Sequence, residues 1–415
     1  QKRGFMSFNT FKFHPAVTAG ITAAGYTDPT PIQYRAIDSI MAKKDIIGLA
    51  QTGTGKTAAF VLPILNRLIS GKRGTPRALI VAPTRELAEQ IHGAIETLGG
   101  KTGLRSMAIY GGVAIGPQIQ KINRADIVVA CPGRLLDHMG RKTVDLSSLE
   151  VLVLDEADHM FDMGFLPDIR RILKQIPAKR QTLLFSATMP PEIRKLAEES
   201  LKDPVTVQVG ITAPADTVSH ALYPVRQNQK TPLLLKLLKQ TRTGSVLVFT
   251  RTKHRAKRLS EQLGRAGYKT ASLQGNLSQN RRRDAIDGFR NGSYQVLVAT
   301  DIAARGIDIA NVSHVINYDI PDTADAYIHR IGRTGRAARN GDAFTMITEA
   351  DDQMVKAIDR VIGYKIERRR LPDSNYGTAA DKTSRGTVTQ KQVSKPRKNT
   401  KANSPKPINP RIRSI

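Results

Sequence analysis

Cysteine and tryptophan are nearly absent from this 415-residue sequence, which holds one Cys, Cys131, and no Trp. A single thiol excludes a disulfide framework and a cysteine-rich zinc site. Aromatic residues make up only 5% and say little about function. No apolar run is long enough to span a bilayer and no signal-peptide pattern opens the sequence, which points to a cytoplasmic protein without a membrane partner. Negative charge is the other shortage, with 36 Asp and Glu against 64 Lys and Arg, a formal net of +28. An excess of that size points to a polyanionic partner, most simply nucleic acid.

What is present describes a globular α/β protein. A hydrophobic content of 40% is enough for packing, and the length calls for two or three domains. Short apolar runs at 46–50, 78–81, 127–130, 151–154, 182–185 and 205–209 alternate with helical patterns at 56–69 and 85–98. That alternation predicts βαβ units and a mostly parallel sheet flanked by helices. Small polar residues take over at 210–217, as in a linker. Strand patterns then restart at 218–223, 246–249, 270–273, 295–299, 315–317 and 343–347, with helices at 252–264, 279–289 and 350–362. The spacing therefore predicts two α/β domains in tandem, 1–209 and 218–370. Residues 371–415 carry ten Lys or Arg and two Asp among Pro, Ser, Thr and Asn, which predicts a disordered basic tail. Of the +28, this tail holds +8, so +20 stays with the rest.

Two stretches carry the clearest chemistry. Ala50-Gln51-Thr52-Gly53-Thr54-Gly55-Lys56-Thr57 lies between a predicted strand and a predicted helix. Its glycines let backbone N–H groups wrap a phosphate at a helix N-terminus, with Lys56 on the β- and γ-phosphates and the Thr57 hydroxyl on Mg²⁺. Val151-Leu152-Val153-Leu154 reads as a strand buried on both faces, and Asp155-Glu156-Ala157-Asp158 follows it. Ligands of open α/β sheets sit beyond the carboxyl ends of the strands. There Asp155 would join the magnesium shell and Glu156 would position the water that attacks the γ-phosphate. Gln33 has an amide suited to the N6 and N7 of adenine. Far downstream, His329-Arg330-Ile331-Gly332-Arg333-Thr334-Gly335-Arg336 offers arginines to a developing negative charge; a basic loop facing nucleic acid is the competing reading for each of them.

With these residues in view, the chain resembles the DEAD-box ATP-dependent RNA helicases over about residues 5–370. The resemblance implies two tandem RecA-like domains, ATP and Mg²⁺ as cofactors, and RNA as the partner. It implies that Phe8 and Gln33 recognise adenine, Phe8 packing near the base. Ala50 is the family's usual residue at the head of the phosphate loop. Pro83-Thr84-Arg85, Gly111-Gly112 and Cys131-Pro132-Gly133-Arg134 look like RNA-contacting motifs of the first domain. Thr250-Arg251, Gln274-Gly275, Arg282 and Thr300 look like those of the second. Ser186-Ala187-Thr188 is similar to the element coupling hydrolysis to strand separation, and His329 to a residue bridging towards the aspartate motif. Gly306 and Asp308 match a nucleotide-side motif, and Arg333 and Arg336 the arginine fingers. The run from Asp155 to Phe165 and the short basic tail look most like bacterial RhlE-type members.

One departure has a consequence: Cys131 stands where the family usually has Thr, and a thiol is the weaker hydrogen-bond donor. The implied activity is RNA-stimulated ATP hydrolysis coupled to interdomain closure, local duplex separation and ribonucleoprotein remodelling by a monomer. Ribosomal precursors or RNA-decay machinery are the implied settings. An ATP-dependent RNA clamp and a DNA translocase are the competing readings, separable by duplex-length series and by replacing RNA with DNA, since the 2′-OH distinguishes the two.

Overall fold

A computed structural model of the chain describes residues 7–51, 53–209, 218–240, 244–304, 312–335 and 341–371. The expected linker at 210–217 and the tail from 372 onward lie outside the described residues, as do Thr52, Gly306, Asp308 and Arg336.

The first half builds a seven-stranded sheet from β1 (Ile46–Leu49), β2 (Ala78–Val81), β3 (Ser106–Ile109), β4 (Ile127–Ala130), β5 (Val151–Leu154), β6 (Gln181–Ser186) and β7 (Val205–Gln208). Their order is β3-β4-β2-β5-β6-β1-β7, every pairing parallel. The second half builds a six-stranded sheet from β8 (Val218–Pro224), β9 (Val246–Phe249), β10 (Thr270–Leu273), β11 (Val296–Ala299), β12 (His314–Asn317) and β13 (Gly341–Ile347). Its order, β10-β11-β9-β12-β13-β8, is also parallel throughout.

Helices cover both faces of each sheet, and this is why the strands read as unbroken apolar runs. Alternate residues of β5 serve opposite cores: Val151 and Val153 join the cluster built on helix Lys56–Leu68, while Leu152 and Leu154 join that of helices Pro132–Gly140 and Leu166–Leu173. All four are essentially inaccessible to solvent. Burying each contributes about 1.5–3 kcal/mol, so the strand that presents Asp155 is firmly anchored.

Register sets the site. Leu49 pairs with Ser186, Leu154 with Leu184, and Val81 with Leu154. The carboxyl ends of β2, β5, β6 and β1 therefore share one rim, which carries Pro83-Thr84-Arg85, Asp155-Glu156, Ser186-Ala187-Thr188 and the phosphate loop in adjacent positions.

Candidate nucleotide and RNA site

The phosphate loop needs its glycines for shape. Gly53 and Gly55 have φ of 86° and 93°, in the left-handed region that side chains avoid. A Cβ on Gly55 would also lie 2.5 Å from the Gln33 amide nitrogen. Gly55 caps helix Lys56–Leu68, so that the helix's free N–H groups open onto the loop. Lys56 is buried and its ammonium donates to the Ala50 carbonyl at 2.9 Å, across the loop. Gln33 is pinned from two sides: its Oε1 accepts from Thr30 N at 2.8 Å and its Nε2 donates to Gly55 O at 3.1 Å. Each amide atom keeps a second valence for a base edge. Phe8, expected to pack near the base, lies beneath Tyr26. It is 5% exposed in the core, and Tyr26, stacked on it at 6.2 Å and 42% exposed, offers the open aromatic face instead.

Beyond β5, Asp155 is 1% exposed. Burial pushes its pKa up to about 7 against the pull of the Lys56 charge. A carboxylate so disfavoured is one that a cation would re-ionise. Among the described residues no cluster of three His, Cys, Asp or Glu could hold a metal alone. Asp155 and the Thr57 hydroxyl thus fit a hard ion such as Mg²⁺ that draws its other oxygens from phosphate and water.

Glu156 behaves in the opposite way. Burial is the largest influence and works against ionisation, but the His159 hydrogen bond and the charges of His159, Lys56 and Arg333 outweigh it and hold the carboxyl at about 2. Its backbone is left-handed, φ 51°, and its N–H donates to Asp155 Oδ1 at 3.0 Å. The third carboxylate, Asp158, accepts from Ala187 N at 3.1 Å and from Thr188 N and Oγ1 at 2.9 and 3.2 Å, while its own N–H donates to Ser186 Oγ. Ser186 and Thr188 are thereby tied to the Asp155 strand end.

The second domain supplies Arg333, 4% exposed, whose charge bears on Glu156. Its neighbour Arg330 is a structural post: it pairs with both Asp301 oxygens at 2.6 Å, donates to Asn317 Oδ1 and Asp319 O, and lies over the Phe249 ring. His329 sits half-buried in the last turn of helix Ala324–Ile331.

A cleft of about 510 Å³ is lined from one side by Pro83, Thr84, Arg85, Gly111, Cys131, Pro132, Gly133 and Arg134, and from the other by Gly275, Gln279 and Arg282. Arg134 donates to Val113 O at 3.0 Å. Gly112, at φ 76°, lies where a Cβ would strike the Arg85 guanidinium. The Thr84 hydroxyl caps helix Arg85–Gly99 by accepting from Leu87 N. Arg282, expected to contact RNA, donates through its Nε to Glu86 of the other domain at 2.7 Å, beside a Gln279 to Glu86 contact. Thr250 is fully buried and its hydroxyl donates to Thr252 O. Gln274 and Thr300 are also buried, Gln274 accepting from Asn276 N. Arg251 is exposed, 3.3 Å from Asp322.

The DEAD/DEAH box helicase family model matches residues 30–196, and the helicase conserved C-terminal domain matches 229–338. The DEAD-box ATP-dependent RNA helicase CshA of Bacillus licheniformis is 42% identical over 371 residues, 88% of this chain and 76% of CshA. This chain belongs to the DEAD-box ATP-dependent RNA helicases. The helicase RhpA of Helicobacter pylori is 40% identical, over 89% of this chain and 75% of its own. Among solved structures, S. cerevisiae Dbp5 bound to RNA and ADP BeF3 superposes with a TM-score of 0.80 at 33% identity, covering 88% of this chain and 95% of that one. A DEAD box protein from Methanococcus jannaschii gives 0.52 at 37% identity, over 88% and 99%. As a DEAD-box helicase the protein hydrolyses ATP and acts on RNA. The fold adds contacts that the sequence does not show for Asp158, His159, Glu86 and Tyr26. Asp158 and His159 lay inside the quoted motif, but nothing in a linear string shows which backbone they face.

Proposed function

We propose that this DEAD-box helicase is an RNA-stimulated ATPase whose catalytic centre is complete only when its domains, 1–209 and 218–370, close about the 210–217 linker. The observation that carries the reading is the meeting of the two domains, where Arg282 of the second pairs with Glu86 of the first at 2.7 Å and the buried Arg333 bears on Glu156. Gln33, Tyr26 over Phe8, and the loop 50–57 hold ATP in the first domain, and Gly306 and Asp308 of the second contribute to its recognition. Asp155 and Thr57 hold Mg²⁺, which neutralises phosphate charge. Glu156 accepts a hydrogen bond from the attacking water. A carboxyl held this low orients that water well and accepts a full proton poorly. Arg333 and Arg336 stabilise the transferring phosphoryl group, a contribution of about 10³–10⁵ in comparable enzymes.

RNA is read along the cleft through its backbone, without sequence choice. Since ATP and RNA both favour closure, each tightens the other, and hydrolysis resets the cycle after one strand of a short duplex is bent away. The likeness to Dbp5 bound to RNA and ADP BeF3 supports a site that takes nucleotide and RNA together. We assign the chain to the RhlE-type branch on its Asp155–Phe165 run, as a cytoplasmic monomer acting on ribosomal precursors or with RNA-decay machinery.

The test is Glu156→Gln. ATP and RNA binding are expected to persist while turnover falls at least 100-fold. Hydrolysis near the parent rate would remove Glu156 from the water-orienting role.

A further inference from the structure

We propose that His159 is a positioning residue for hydrolysis, holding one oxygen of the Glu156 carboxylate so that the carboxylate stays aimed at water. The inference rests on the reading of Glu156 given above and adds the group that makes it work. His159 lies in the first turn of helix Ala157–Asp162 and is 5% exposed. Its Nδ1 is 3.2 Å from Glu156 Oε2. The ring's other nitrogen, Nε2, is buried and has no hydrogen-bond partner among the described residues. With a proton on Nδ1 the ring donates to Glu156 Oε2, giving that carboxylate oxygen a fixed partner.

The need for such a hold follows from the neighbours. The left-handed backbone of Glu156 fixes where its side chain starts, and the side-chain torsions set where its carboxylate end points. Lys56 and Arg333 both attract that end. A carboxylate drawn onto either cation would be lost to the water, and would also occupy a cation that the phosphates require. The Nδ1–H on Oε2 opposes this collapse. The effect therefore belongs to the chemical step rather than to the binding of ATP or RNA.

The geometry of the donor supplies the test. Asn carries its amide near the position of imidazole Nδ1, whereas Gln carries it near Nε2. In RNA-stimulated ATPase assays of the full chain, His159→Ala is expected to lower kcat about 10-fold, with the KM for ATP and the Kd for RNA within 2-fold of the parent. His159→Asn should recover most of the rate and His159→Gln should not. In a Glu156→Gln background, His159→Ala should cost nothing further. Equal rates for the Asn and Gln variants, or an unchanged kcat in His159→Ala, would overturn the proposal. Should His159→Ala fold poorly by its melting temperature, the Asn and Gln pair decides alone, since the two differ mainly in where the donor sits. If Glu156→Gln itself turns over normally, the underlying reading of Glu156 fails; if Glu156→Gln is dead and His159→Ala is not impaired, only the assignment of His159 fails.

Discussion

At the scale of single residues, the same chemical group takes different duties according to what surrounds it. Asp155, Glu156 and Asp158 are three carboxylates within four positions, yet burial opposes ionisation of the first, the second stays ionised, and the third is spent on backbone N–H groups. Cys131 shows the reverse case, a side chain not yet used well. It stands at the N-cap of helix Pro132–Gly140 without a side-chain cap bond, and burial, with the Glu86 charge, pushes its thiol up to about 12. The thiol is thus neutral and unreactive at physiological pH. Cys131→Thr should add a cap worth about 1 kcal/mol and a better donor in the RNA cleft. A raised melting temperature and RNA binding tighter by about 2- to 5-fold are expected; no change in either would show that neither the cap nor the donor forms.

His220 on β8 is a second residue-scale case. Its Nδ1 lies 3.2 Å from the Tyr327 hydroxyl, and burial lowers its pKa to about 4. The unfolded chain takes up that proton near pH 6.5 and the folded one does not. The stability it protects is therefore complete above about pH 6.5 and is lost as pH falls towards 4, by roughly 2 kcal/mol once partial solvent contact is discounted. Melting curves across that window should slope less steeply in His220→Gln than in the parent. Parallel slopes would assign the acid sensitivity elsewhere.

At the scale of elements, legibility followed burial. β2, β4, β5, β9 and β10 match their predicted bounds, and most other strands fall within two residues, because parallel strands covered on both faces must be apolar throughout. β3, Ser106–Ile109, escapes such a reading because it is an edge strand, mostly half-buried, with Ser and Ala among four residues. Helix Ala324–Ile331 is equally hard to see, since its last turn runs into the glycine-spaced arginines and reads as loop. The site was legible where one element holds it. The glycine loop is written in adjacent letters and its φ values require them. Phe8 was visible as an aromatic, but its spacing could not reveal that Tyr26 covers it. Contacts between elements, such as Asp158 with the end of β6, have no signature in either segment alone.

For the whole molecule, the question is what holds the two domains together around ATP and RNA, and Arg282 with Glu86 gives a way to ask it. The pair meets at 2.7 Å with side chains 12% and 11% exposed, and Gln279 donates to the same carboxylate. Removing one partner of a poorly solvated ion pair leaves the other charge stranded, at a cost larger than the pair itself contributes. Here the cost would fall on the closed state only, because in open domains both groups meet water. Arg282→Glu should thus lower RNA-stimulated ATPase at least 10-fold while ATP still binds the first domain. Adding Glu86→Arg should restore a good part of that rate, since the reversed pair spans the same gap. A pure RNA-phosphate ligand would behave otherwise: Arg282→Glu would weaken RNA binding and flatten its salt dependence, and the double reversal would recover nothing. ATPase rates and RNA affinities of the two single variants and the double variant, taken at two salt concentrations, separate a latch between domains from a contact to RNA.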